Sequence, residues 1–138
     1  MADTFDLELV SPERLLLSRP VEMVTLPAAE GEMGVLPGHA PMIVALRGGV
    51  IAVRENGATT ERLYVAGGFA EVSPARVTVL ADEATPVADL SRATAEARLA
   101  EAEAALAAVP PTEAPAVRER AMERAASARA MRDAAGAA

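Results

Sequence analysis

Residue types that could do chemistry are sparse in this sequence. His39 is the only histidine, set in Pro37-Gly38-His39-Ala40-Pro41, where two prolines and a glycine constrain the backbone to a turn. An imidazole there serves either as general base or metal ligand, or as a turn or interface residue that donates a hydrogen bond. A base or a metal site needs companions, and there is no second histidine and no cysteine. The turn or interface reading is the stronger. Glu30 and Glu32 flank Gly31 and in a strand would point the same way. As a carboxylate pair they would suit acid–base work; as loop charges they suit solvent or a partner, which we favour. The glycine pairs Gly48-Gly49 and Gly67-Gly68 lack the lysine and hydroxyl of a phosphate-binding loop and read as bends or bulges. No constellation here makes an active site, so a module that works by contact is the better class.

Composition narrows that class further. At 138 residues the chain is one domain, or a small domain with an appendage, and can bury a core unaided. The absence of cysteine excludes a disulfide scaffold, a thiolate metal site and a cysteine nucleophile. Net charge is -7, which argues against a phosphate backbone and hence nucleic acid as partner. All 13 basic residues are arginine, for which we have no physical account, and the aromatics are only Phe5, Tyr64 and Phe69. The start, Met1-Ala2-Asp3-Thr4-Phe5-Asp6, has no apolar core of a signal peptide. No apolar run nears the ~20 residues of a membrane span, so any membrane link is expected through a partner.

The elements that must position these residues fall into two halves that meet near Pro86. In the first, Phe5, Leu7 and Leu9 alternate with Asp6 and Glu8, and Val21 and Met23 flank Glu22. Val50–Val53, Leu63–Ala66 and Val77–Leu80 are short apolar runs between turn signals. Each reads as a strand. Asn56-Gly57 predicts a tight hairpin turn joining strands near 49–55 and 60–66. Strands at this spacing predict an antiparallel sandwich or barrel. In the second half the period becomes helical. Asp89 is placed to cap a helix whose stripe is Leu99, Ala102, Leu106 and Val109. Pro110-Pro111 stops it, and a second helix is expected from about Ala116 to Ala135, with Gly136 just beyond. The result is an antiparallel helical hairpin. Its stripes are mostly alanine, so it should be helical yet weakly glued to the rest.

The stretch Glu30-Gly31-Glu32-Met33-Gly34-Val35-Leu36-Pro37-Gly38-His39-Ala40-Pro41 closely resembles the most characteristic segment of the epsilon subunits of bacterial and chloroplast F-type ATP synthases. Leu9–Glu13, Leu46–Ile51, Tyr64–Val72 and Val77–Asp82 resemble further landmarks of that family, so the likeness covers residues 3–93. Beyond that it rests on helical character and length.

The resemblance implies an α+β chain in two parts: a ten-stranded β-sandwich, residues 1–86, then a mobile helical hairpin, residues 87–138. It implies a non-catalytic rotor subunit of the central stalk, coupling proton flow to ATP synthesis. It places the chain peripherally, on the cytoplasmic face of the bacterial inner membrane. Glu30, Gly31 and Glu32 match the loop that faces the c-ring, and His39 matches the histidine near the gamma contact, with Met42 following in the same region. Asp89, Arg92 and Ala93 match a nucleotide motif, with Ala88 where the family has a larger aliphatic residue and Arg98 as added support. No cofactor is required, and ATP would be a regulatory ligand. Arg118, Arg120, Arg124, Arg129 and Arg132 match a basic helix that meets the beta subunit of the alpha/beta catalytic head when the hairpin extends and inhibits ATP hydrolysis. From the residues alone, the stronger reading makes Asp89 a helix cap and the arginines a solvated face. A free-standing ligand-binding sandwich is the competing class, and an enzyme comes third.

Overall fold

This computed structural model describes residues 3–137. The expected outer limits of the two parts, residues 1 and 138, lie outside the described residues. Ten strands come first: β1 (Phe5–Val10), β2 (Leu15–Val21), β3 (Met23–Ala28), β4 (Gly31–Val35), β5 (Met42–Leu46), β6 (Gly49–Glu55), β7 (Ala58–Val65), β8 (Gly68–Val72), β9 (Arg76–Ala81) and β10 (Ala84–Pro86). A 3-10 turn, Val87–Asp89, then leads to α1 (Arg92–Ala107) and α2 (Pro115–Ala137).

The strands form one sheet, in the order β10-β7-β6-β3-β5-β8-β9-β1-β2 with β4 on β3, folded over itself into two layers. The fold happens at β3, which pairs with β6 through Met23–Thr25 and touches β5 only through Ala28 and Leu46. Alternation decides what goes inside. Leu7, Leu9, Leu26, Ile51, Val53, Val65, Val77 and Val79 are fully buried and form one core between the layers. At the open edge Arg19 of β2 crosses to Glu55 (2.7 Å) and Glu61 (3.3 Å). The Arg19 guanidinium, and then the Thr60 hydroxyl, hold the Glu55 carboxyl below the usual carboxylate range.

The expected antiparallel sandwich is present, with one difference. β1 runs parallel to β9, because the first strand inserts between β9 and β2. Asn56 and Gly57 both take positive φ, 53° and 77°, the mirror-image turn whose twist suits a two-residue hairpin. Pairing therefore resumes at once, at Glu55 and Ala58, two residues earlier than expected. Val21 and Met23 do not share a strand. Val21 ends β2 in the core, and Met23 opens β3 half-buried on the other side of a bend at Glu22.

The helices differ from expectation at their ends. Ser91, not Asp89, caps α1: its hydroxyl accepts from the Thr94 amide at 3.2 Å. Leu90 is extended and Asp89 belongs to the 3-10 turn, too far back to reach the first helical amides. Gly136 lies inside α2, since the alanine-rich sequence carries the helix past it. α1 stops before Pro110-Pro111 as expected, and Pro115 opens α2, where its missing amide hydrogen costs nothing. Leu99, Ala102, Ala125 and Ala128 form the buried seam between the helices, with Leu106 packed on it.

Candidate functional site

The acidic loop is the tip of the β3–β4 hairpin. Ala28 pairs with Gly31, which leaves Ala29-Glu30 as a two-residue turn. Glu30 thus sits in the turn and Glu32 in the strand, so the two carboxylates do not share a strand face as expected. Both are exposed, and neither has an ion-pair partner among the described residues. Beside them an open groove of about 380 Å³ is lined by Glu30, Glu32, Met33, Met42 and Ile43, among others. The two expected contact sets, Glu30-Gly31-Glu32 and Met42, therefore share one groove. Apolar walls with free carboxylates suit a cationic, partly apolar partner segment.

His39 lies in the loop from β4 to β5. Pro37 and Gly38 form the centre of a turn closed by the His39 amide on the Leu36 carbonyl (3.3 Å). Gly38 has φ 86°, which a residue with a Cβ rarely adopts. The Gly38 amide also donates to the Pro74 carbonyl at 2.8 Å, tying this loop to the β8–β9 turn. The imidazole Nδ1 lies 2.8 Å from the Ala40 carbonyl, so it carries the hydrogen and donates. Nε2 is left for solvent or a partner. Among the described residues no group of three His, Cys, Asp or Glu side chains could hold a metal ion.

A larger feature was not expected from the sequence. Ala45 pairs with Phe69, Phe69 with Leu80, Leu80 with Val10 and Val10 with Leu15. These residues cross the outer face of β5-β8-β9-β1-β2 as one apolar row, roughly 19 Å long at the usual strand spacing. Phe69 is 58%, Leu80 55% and Leu15 55% exposed, and Ile43, one position along, is 74% exposed. The adjoining row, Ile43-Glu71-Thr78-Glu8-Ser18, carries carboxylates. A contiguous apolar row with an acidic margin marks a contact surface. Its trace in the sequence is slight: Leu80 is apolar on the outward face of a strand whose Val77 and Val79 face the core.

The nucleotide corner is divided. Asp89 is exposed in the 3-10 turn, Arg92 pairs with Glu96 (3.1 Å), and Ala93 is exposed. Arg98 donates to both Glu83 oxygens, at 3.0 and 2.8 Å. A cleft of about 310 Å³ between sheet and helices is lined by Tyr64, Glu83, Arg98, Glu101, Arg124 and Met131, among others. It joins Arg98 to Arg124, while Asp89, Arg92 and Ala93 lie outside its lining.

The α2 arginines are mostly engaged within the chain. Arg118 donates to the Val109 carbonyl, Arg124 pairs with Glu101, Arg129 with Glu103 and Arg132 with Asp133. Arg120 has no ion-pair partner among the described residues. These exposed pairs are each worth at most ~1 kcal/mol and would yield readily to a competing acidic surface.

The hairpin rests on the outer face of the β6–β7 layer. Tyr64, Ala95 and Met131 are buried together there. Burial, and then the Glu83 carboxylate, push the Tyr64 phenol up to about 12.

Residues 4–87 match the family model described as ATP synthase, Delta/Epsilon chain, beta-sandwich domain. A protein of Granulibacter bethesdensis named ATP synthase epsilon chain is 62% identical over 135 residues, 98% of each chain. One of the same name from Rhodospirillum rubrum is 55% identical over 91 residues, 66% of this chain and 68% of that one. A chain in the cryo-EM structure of the Euglena gracilis mitochondrial ATP synthase (OSCP/F1/c-ring) superposes with a TM-score of 0.76 at 27% identity. That superposition covers 95% of this chain and 81% of that one. A chain in the central stalk/c-ring structure of the Tetrahymena thermophila mitochondrial ATP synthase has a TM-score of 0.72 at 11% identity, a likeness of fold. It covers 97% of this chain and 98% of that one.

Proposed function

The chain belongs to the ATP synthase epsilon family and is a non-catalytic central-stalk subunit of an F-type ATP synthase; from that premise we propose how its surfaces divide the work of the rotor. The sandwich docks on gamma through the apolar row Ala45-Phe69-Leu80-Val10-Leu15, with His39 and Met42 at its margin. Glu30, Gly31 and Glu32 meet the c-ring. The observation that carries this reading is the length of exposed apolar surface on one sheet face, continuous with the acidic groove through Ile43 and Met42. Two adjoining surfaces of opposite character suit two different partners held at once. Among the described residues no helix is long and apolar enough to cross a membrane. The chain is peripheral, and its membrane link, on the cytoplasmic face of a bacterial membrane, runs through the complex. In the folded hairpin Arg124 and Arg129 are held by Glu101 and Glu103. Extension would carry them, with Arg118, Arg120 and Arg132, toward the beta subunit, where an acidic surface would compete for these arginines and slow ATP hydrolysis.

The test is a pull-down of the tagged chain from detergent-solubilised membranes, read by mass spectrometry. Recovery of gamma and c subunits is expected. Recovery of the chain without gamma would remove the docking assignment and revive the free-standing sandwich.

A second role is favoured by the cleft that joins Arg98 and Arg124. A polyanion such as ATP would compete there with Glu83 and Glu101 for two guanidinium groups, and Asp89, Arg92 and Ala93 would have to close on it. ATP would then hold the hairpin folded. Titration calorimetry with millimolar ATP on the isolated chain tests this, and the absence of heat would end it.

A further inference from the structure

Gly48, in the turn between β5 and β6, does not need to be glycine for its backbone, since its φ is not positive. It needs to be glycine for the helix. A Cβ built there would lie 2.6 Å from the Ser127 Cα and 2.8 Å from its Cβ, and the three nearest atoms all belong to Ser127. Real Cβ atoms do not approach that closely, and a helix Cα cannot swing aside as a side-chain tip can. Ser127 also makes two hydrogen bonds to β7 and its end. The Tyr64 hydroxyl donates to the Ser127 carbonyl at 2.9 Å, and the Ser127 hydroxyl donates to the Ala66 carbonyl at 3.0 Å. The Ser127 carbonyl lies within a regular helix and accepts Tyr64 on its second lone pair.

We propose that Gly48, Ser127 and Tyr64 form a seat that sets the balance between the folded and the released hairpin. The bare Gly48 backbone lets α2 approach, and the two hydrogen bonds fix its height and rotation. The hairpin grips the sheet through a small cluster, Tyr64, Ala95 and Met131, so a single lost approach at the seat shifts the balance strongly. Any side chain at position 48 closes the seat, because the first atoms it meets are those of Ser127. The regulatory consequence rests on the reading of the hairpin given above. The seat itself is a property of the isolated chain.

The experiment uses the full chain, which has no cysteine and one tyrosine. Spin labels are placed through Thr59→Cys on the sandwich and Ala108→Cys at the hairpin loop, and their distance distribution is measured by pulsed electron resonance. The parent should show one narrow distribution. Gly48→Ala should shift the folded-to-released ratio by roughly tenfold or more and add a long, broad component. Ser127→Leu produces the same clash from the helix side with a good helix former, and should release the hairpin even if the first variant folds poorly. Tyr64 gives a second reading by absorbance: its titration near pH 12 should fall toward the ordinary value of about 10 on release. Unchanged distances and an unchanged tyrosine titration in both variants would overturn the seat. Released hairpins with unaltered ATPase activity in the assembled enzyme would leave the seat standing and overturn only its regulatory reading.

Discussion

Glu32 and Met42 line one groove, and that shared position decides what a change at Glu32 should do. Its carboxylate is exposed and without an ion-pair partner among the described residues, so replacing it should move stability by no more than about 0.5 kcal/mol. Glu32→Arg should leave the fold intact yet weaken coupling between proton flow and ATP synthesis, by placing a cation against a cationic partner loop. Proton-driven ATP synthesis in membrane vesicles checks this, and unchanged synthesis would remove the assignment of Glu32 to the c-ring. Tyr64 offers a pH test at the same scale. Its phenol titrates higher in the folded hairpin than in water, so the folded state holds the proton more tightly. Its contribution to docking is complete below about pH 10 and should fall as pH rises toward 12. Single residues were legible in the sequence where backbone chemistry is local, as at Asn56-Gly57 and in the Leu36–His39 turn. Asp89 does not cap α1 because the chain turns at Val87–Asp89 and is extended at Leu90, which leaves Ser91 beside the first helical residues.

At the scale of elements, the strands and helices differ in how much apolar surface holds them. The sandwich core includes Leu7, Leu9, Leu26 and Ile51, fully buried, each worth roughly 1.5–3 kcal/mol in transfer from water. The hairpin seam relies on Leu99 and several alanines, and its grip on the sheet on Tyr64, Met131 and Ala95. Amides of α1 and α2 should therefore exchange with solvent well before those of β1, β3 and β9, through an opening that leaves the sandwich closed. Equal protection of helices and strands would contradict a separately moving hairpin. Period alone revealed the two halves, both helices and the strands β1, β6, β7 and β9, because strand and helix repeats differ sharply along this chain. It could not reveal the docking of α2, which depends on Gly48, Tyr64 and Ser127. These are far apart in sequence and individually unremarkable in type. Nor could it place Met23, since alternation continues across the bend at Glu22 whether or not the strand does.

The whole molecule combines a negative net charge, -7, with an apolar row on the outer face of one layer and a folded hairpin on the outer face of the other, the two adjoining where Ala45 and Phe69 share a cavity with Ser127 and Arg129 of α2. On the reading proposed above, the row would keep the sandwich docked while the hairpin moves, as a rotor subunit that also regulates requires. The apolar row was not legible as a surface, because strand pairing determines which outward residues become neighbours. The most direct test replaces Phe69, the aromatic residue of the row and 58% exposed, with a photo-crosslinking phenylalanine analogue in the assembled enzyme. Illumination should join the chain to gamma in high yield. A crosslink to another subunit, or none from an enzyme that is fully assembled, would contradict docking through this face.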